Sequence, residues 1–254
     1  MKIREIEIGS GMPKICVPIT ENTREKILAK AEEIVLHHVD MVEWRMDFYQ
    51  DVMEAEEVIE TLRALRSILG NTVLLATFRT AAEGGQKEIE RTTYVELNAA
   101  VAKSGYADLI DIEVFRGVNE EQKLEEAYRS FICQVASCCP VVGSYHDFEK
   151  TPTEEEMERR LLFMKEAGAS IPKLAVMPQN RRDVMRLLSV TERVTEQLGD
   201  TPVITMSMGS LGVLSRVSGA FSGSAVTFGC LGEGSAPGQL PVEKLGMVLD
   251  ILQG

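Results

Sequence analysis

Eight times along the chain, an apolar stretch of six to eight residues is followed by a stretch with helical spacing. The strand-like stretches are 14–20, 41–47, 72–79, 107–114, 140–147, 171–177, 202–208 and 225–230. The helical ones are 24–38, 54–69, 88–103, 120–131, 153–167, 181–198, 211–217 and 241–252. Strands alternating with helices imply right-handed βαβ crossovers and a parallel sheet. Eight such units in 254 residues match a closed (β/α)8 TIM barrel, class α/β, better than an open doubly wound sheet. Neither G-x-G-x-x-G nor G-x-x-x-x-G-K-S/T follows the first strand, which counts against a dinucleotide fold or a nucleotide phosphate loop. No linker or break in composition divides the chain, so residues 1–254 are expected to form one domain. Residues 1–13 are expected to form a short two-stranded ribbon turning at Gly9-Ser10-Gly11.

Composition narrows the partners. Hydrophobic residues make up 44% of the chain, enough for a substantial core. No apolar run approaches the ~20 residues of a membrane span. The first residues alternate charge with isoleucine and lack the apolar core of a signal peptide, so a cytoplasmic location is expected. The net charge of -12 comes without a basic cluster, which argues against a nucleic-acid partner. The five cysteines (Cys16, Cys133, Cys138, Cys139, Cys230) are scattered and lack C-x-x-C spacing. Neither a disulfide framework nor a metal is indicated, and they read as small buried apolar residues.

Barrel strands covered on both faces should be nearly unbroken apolar runs, and several here are not. Glu43, Arg45 and Asp47 alternate with Val42, Trp44 and Met46; with Trp44 placed beneath the helices, the charged face looks into the barrel. Arg79 ends the third strand with Glu83 beyond it, and Asp111 and Glu113 share a face of the fourth. Ser144-Tyr145-His146-Asp147 ends the fifth, and Lys173 sits in the sixth. Charges buried without partners are prohibitively costly, so these must pair with one another or with a ligand. An internal salt-bridge network is the plain alternative, but six of eight strands sending polar groups to one end favours a site.

Lys173 lies in Ile171-Pro172-Lys173-Leu174-Ala175-Val176-Met177-Pro178, where alternation puts Lys173, Ala175 and Met177 on one face. A buried amine that gives up its proton is a nucleophile able to form an imine with a carbonyl. The competing reading lays the stem on apolar surface with its head in water. His146, at a strand end beside acids, suits general acid–base work. His37 and His38 close the first helix and read as surface residues. Arg216 could grip a carboxylate in two places, or be an ordinary helix-surface arginine. The glycine-rich segment 232–239 could act as a lid lowering Ser235 and Gln239 onto a hydroxylated ligand, or be a bare connector.

Taken in order, these residues form a recognisable set. They comprise Glu43-Trp44-Arg45, Thr77-Phe78-Arg79 with Glu83, Ser144-Tyr145-His146-Asp147-Phe148, Lys173, Met206-x-Met208-Gly209 leading to Ser215-Arg216, and Ser235-Ala236-Pro237-Gly238-Gln239. This set resembles the type I 3-dehydroquinate dehydratase family, essentially from end to end. The resemblance implies a (β/α)8 barrel, commonly a homodimer, that dehydrates 3-dehydroquinate to 3-dehydroshikimate in the shikimate pathway to aromatic amino acids. It implies no metal and no cofactor. By matching position, Lys173 would form the imine, His146 would be the general base and acid, and Glu83 would orient it. Arg216 would bind the substrate carboxylate, while Glu43, Arg45, Arg79, Ser235 and Gln239 would hold hydroxyls and order the site. Met206, Met208 and Phe228 would form its apolar wall. Where some members place a substrate-touching serine, this chain has Pro18, so the first strand is left out of the site. The residues alone leave open a class I aldolase with an imine-forming lysine, and a catalytically silent sensor of a polyol acid.

Overall fold

The computed structural model describes residues 1–232, 234 and 236–253. Eight parallel strands form the frame: β1 (Lys14–Ile19), β2 (Met41–Arg45), β3 (Val73–Thr77) and β4 (Leu109–Glu113), then β5 (Val141–Asp147), β6 (Ile171–Val176), β7 (Ile204–Ser207) and β8 (Val226–Cys230). They are paired in the order 8-1-2-3-4-5-6-7, with the two-residue strand Leu240–Pro241 added beside β8. Closure between β7 and β8 rests on a single bridge, Val203 to Ser224. There the Ser224 hydroxyl accepts from Thr205 N at 3.0 Å and donates to Thr205 O at 3.1 Å, so a side chain replaces ladder bonds. The result is the TIM barrel expected from the eightfold repeat.

The helices are α1 (Arg24–Ile34), α2 (Ala55–Leu69), α3 (Arg91–Ser104), α4 (Glu126–Ala136), α5 (Glu154–Glu166), α6 (Arg181–Leu198), α7 (Val213–Val217) and α8 (Val242–Gln253). Period-2 alternation sorts the strands cleanly. Ile15, Val17, Val42, Trp44, Ile110 and Ile112 face outward and pack beneath the helices. Cys16, Met41, Val73, Leu109, Val142 and Ile171 face inward and fill the lower barrel.

The ribbon pairs Lys2–Ile3 with Ile6–Glu7 and seats Ile3 and Ile8 in this inner cluster, closing the bottom of the cylinder. Arg4 and Arg66 each meet an Asp108 carboxylate oxygen at 2.6 Å, tying ribbon, α2 and β4 together. Every charged group discussed below therefore lies at the other, C-terminal end.

Five expectations change. The ribbon turns at Arg4-Glu5, with Arg4 at φ 51°, and not at Gly9-Ser10-Gly11. α4 starts at Glu126, not 120, because the residues before it form a turn of their own: Asn119 Oδ1 accepts Lys123 N at 3.0 Å and Gln122 takes φ 60°. α1 stops at Ile34, after which Leu36 N and His37 N bond back only three residues, tightening the chain out of the helix. β2 ends at Arg45, and Met46–Phe48 turns as a 3-10 helix that carries Asp47 off the strand. Of the cysteines, Cys133 and Cys138 are exposed, on and just past the solvent side of α4, while Cys16, Cys139 and Cys230 are buried. Among the described residues, no helix is long and apolar enough to cross a membrane.

Ile8 is fully buried in the plug. Ile8→Ala should lower the unfolding free energy by about 2–4 kcal/mol in urea titrations, the usual cost of a core cavity. Because the charged groups lie at the far end, activity at low denaturant should be unchanged.

Candidate active site

Lys173 occupies the middle of β6, where its inward face meets the barrel axis. Its side chain is enclosed: Nζ lies 3.1 Å from Asp111 Oδ2 and 3.4 Å from Glu43 Oε1. Nζ also stands 4.9 Å from the centre of the Phe228 ring. Lys173 is paired in register with Ser144, which is paired in turn with Glu113, so β4, β5 and β6 present these side chains at one level. The solvent-seeking reading of Lys173 is thus excluded, since its head points into the barrel.

Arg79 is the hub of this level. Its Nη1 contacts Glu113 Oε1 at 3.0 Å and Ser144 Oγ at 2.9 Å, and its Nη2 lies 2.7 Å from Asp111 Oδ1. Ser144 Oγ donates to Asp111 Oδ1 at 2.6 Å, and Thr77 Oγ1 donates to Glu43 Oε1 at 3.0 Å. Glu113 also accepts from Thr80 N at 2.8 Å and Thr80 Oγ1 at 2.7 Å. Burial pushes the Asp111 carboxyl up, but Arg79 and Lys173 outweigh it and hold the group below its ordinary value.

Above the hub, Glu83 and His146 form a pair. Glu83 ends the short 3-10 helix Ala81–Glu83, and its Oε2 lies 2.9 Å from His146 Nδ1. The same oxygen accepts the His146 backbone N–H at 3.0 Å. An oxygen already accepting one N–H is set to accept a second, which makes Nδ1 the donor and leaves Nε2 bare. Burial, then repulsion from Arg79, Lys173 and Arg45, pushes the imidazole well below its ordinary value. Burial, then the Glu113 carboxylate, pushes Glu83 well up.

Arg45 and Asp47 are joined twice, Nε and Nη2 each meeting a carboxylate oxygen at 2.8 Å. Asp47 also accepts Arg79 N at 3.4 Å and Gln86 N at 3.0 Å, so it braces the turns above β2 and β3. Of the three charges expected to face the barrel from β2, Glu43 and Arg45 line the cavity. Asp47 is buried in the bracing instead.

The cavity has a volume of about 50 Å³. Its polar wall is Glu43, Arg45, Arg79, Glu83, His146 and Lys173, with Gln239 at the mouth. Met206, Met208, Phe228, Ala175, Ala236 and Phe148 form the apolar wall. Arg216 is set behind the segment 236–239, 2% exposed. Its Nη2 donates to Pro237 O at 3.0 Å, and that carbonyl also accepts Gly209 N at 3.0 Å. Its Nε and Nη1 are buried with no hydrogen-bond partner among the described residues. Burial lowers its pKa to about 10, so it is no ordinary surface arginine.

Ser235 lies outside the described residues. The seat of the segment depends on Gly238, at φ 81°, where a Cβ would come within 2.3 Å of Gly209 O. The structure adds residues that the sequence reading left without a role: Thr77, Thr80, Asp111, Glu113, Ser144, Ala175 and Phe148. The inward alternation of β4 and β5 signalled Asp111, Glu113 and Ser144; no pattern signalled Thr80 or Phe148. Among the described residues, no group of three or more His, Cys, Asp or Glu side chains could hold a metal ion.

Comparison with known proteins follows this geometry. The family model for type I 3-dehydroquinase matches residues 15–254. The chain is 44% identical to a 3-dehydroquinate dehydratase of Bacillus licheniformis over 252 residues, covering 99% of this chain and 97% of that protein. It matches the crystal structure of the Clostridium difficile type I 3-dehydroquinate dehydratase with covalently modified comenic acid at TM-score 0.91 and 42% identity, covering 100% and 97% of the two chains. The Geobacillus kaustophilus 3-dehydroquinate dehydratase structure matches at TM-score 0.93 and 37% identity, covering 100% and 96%.

Asp111→Asn should cost about 3–5 kcal/mol near neutral pH, because Arg79 and Lys173 lose a shared counter-charge in a buried setting. The Asp111 carboxyl is depressed in the folded state, so its stabilisation is full above the ordinary aspartate value of 3.8 and is lost as pH falls through the lower folded value. Urea titrations should therefore show the gap between variant and parent closing below that pH.

Proposed function

The chain belongs to the type I 3-dehydroquinase family, and from that premise we propose that it dehydrates 3-dehydroquinate through an imine on Lys173. The enzyme is a hydro-lyase of the shikimate pathway, which leads to chorismate and the aromatic amino acids. The carrying observation is that the Lys173 amine and the His146–Glu83 pair line one cavity. Covalent modification named for the Clostridium difficile relative supports covalent chemistry in this fold.

The steps follow from the residue types. Lys173 Nζ, as the free amine, adds to the ketone carbon, and loss of water leaves a protonated imine. That imine draws electrons from the neighbouring carbon and acidifies its C–H bond. His146 takes this proton at Nε2, and the C–H electron pair becomes the enamine. The enamine then expels the hydroxyl one carbon further on, as the imidazolium returns the proton to it, so that water departs. Addition of water to the remaining imine, with His146 again handling protons, frees 3-dehydroshikimate and the amine. Glu83 holds the ring so that Nε2 faces the substrate. Burial and three nearby cations keep that nitrogen unprotonated, as a base requires.

Substrate binding is assigned by donor chemistry. Arg216 carries a buried guanidinium whose Nη1 and Nε have no hydrogen-bond partner among the described residues, a cation suited to a carboxylate. Glu43, Arg45, Arg79, Gln239 and Ser235 hold hydroxyls, and Met206, Met208 and Phe228 give the ring carbons an apolar surface. The chain needs no cofactor in this reading, works as one barrel domain over 1–254, pairs as a homodimer and acts in the cytoplasm. Family membership sets aside the aldolase and the silent sensor.

Borohydride added with 3-dehydroquinate should leave a reduced, irreversible adduct on Lys173, located by peptide mass spectrometry. An unmodified Lys173 with a turning-over enzyme would rule out the imine. Lys173→Ala should abolish turnover, whereas His146→Ala should slow it by at least about a hundredfold while imine trapping persists.

A further inference from the structure

Phe148 has no part in the chemistry above, yet it lines the same cavity as the His146–Glu83 pair and its ring lies beside the residue after Glu83. It follows His146 by two residues, in a turn held by Asp147 Oδ1, which accepts Glu149 N at 3.0 Å and Lys150 N at 2.9 Å. The ring lies directly against Gly84, the residue after Glu83. A Cβ built on Gly84 would stand 2.3 Å from Phe148 Cε2 and 2.5 Å from Cζ. Gly84 also holds φ 84°, a left-handed conformation that glycine adopts without strain. One aromatic ring thus bridges the segment bearing the base and the segment bearing its partner.

Exposure divides accordingly. The side chains of His146 and Glu83 are each 10% exposed, whereas Phe148 is 39% exposed and lines the same cavity. Of these three residues, Phe148 is the one that faces solvent.

We infer that Phe148, seated on Gly84, is a positioning residue that keeps water from the His146–Glu83 pair and so keeps His146 neutral as the base. The inference rests on the proposed role of His146. The charges facing His146 are Glu83 from the 3-10 helix, Arg79 beyond β3, Lys173 from β6 and Arg45 from β2, with Asp111 and Glu113 of β4 acting on Glu83. Desolvation is the largest influence on the imidazole, ahead of all three cations. Admitting water would relieve it, screen the cations and favour ionised Glu83; all three changes drive the histidine toward protonation.

The test is an NMR titration of histidine rings in the full-length enzyme, with the His146 resonance assigned by its loss in His146→Gln. The parent His146 should titrate below the ordinary 6.5. Phe148→Ala should raise its midpoint by about one pH unit, a roughly tenfold gain in imidazolium at a given acidic pH. Phe148→Leu, which keeps a cover of similar height, should restore most of the parent value. The acid limb of kcat/KM should move upward with the midpoint. An unmoved midpoint in Phe148→Ala, or a raised KM as the sole effect, would make Phe148 a mere wall and overturn the inference. If the midpoint moves while the acid limb does not, the cover stands and the base role of His146 falls.

Discussion

The ammonium of Lys173, held between Asp111 and Glu43 inside a closed cylinder, is the interaction on which the upper half of this barrel depends. A charge there has too little water to solvate it, so a carboxylate must stand within reach, and that carboxylate must itself be answered. Asp111 is answered by Arg79, Arg79 by Glu113, and Glu113 by the amide and hydroxyl of Thr80. Each pairing recruits another strand or loop. Replacing such a network with well-packed apolar residues is commonly neutral or stabilising by about 1–4 kcal/mol, whereas deleting one partner costs about 3–5 kcal/mol. Stability alone therefore gives no reason to keep ions where Leu and Val would serve. Under the proposed function, the belt is retained for the chemistry of the amine.

The lower barrel makes that chemistry feasible. The apolar inner face of the strands and the Ile3–Ile8 plug close the floor, and the segment 236–239 leans over the top. In the space between, burial pushes Glu83 up and His146 down. These opposite displacements have a shared consequence: both favour the uncharged form, and the pair is poised to exchange a proton with a substrate without leaving an isolated ion. Arg79 and Lys173 favour neutral imidazole as well, so under the proposed roles the belt that secures the nucleophile also tunes the base.

Much of this was legible in the residues themselves. Eight repeats of strand and helix allow few architectures, and period-2 alternation in 41–47 and 171–177 placed Trp44 outside and Lys173 inside. Where the reading slipped, a local hydrogen bond had overruled periodicity. The Asn119 turn delayed α4, and the Asp47 carboxylate gathered backbone amides at the top of β2 and β3 instead of facing the cavity. Phe148 stands in the resembling set without a role, because its meaning comes from Gly84, far away in sequence and carrying no side chain to pair with. Thr80 was likewise hidden, since it serves Glu113 from a neighbouring loop.

Arg216 shows how a covering segment and a binding group can be coupled. A guanidinium 2% exposed, with Nε and Nη1 lacking partners among the described residues, is held there by little more than the Pro237 carbonyl. Burial without an anion has already brought its pKa down to about 10. A carboxylate beside that guanidinium would remove that penalty, and a charge-assisted pair in such surroundings is much stronger than one in water. Pro237 is also bound by Gly209, and Gly238 lies against the Gly209 carbonyl. Whatever settles on Arg216 is therefore felt through one carbonyl by the segment that carries Gln239 to the cavity mouth. Under the proposed function, the group that grips the acid end of the substrate is thereby tied to the segment that carries Gln239.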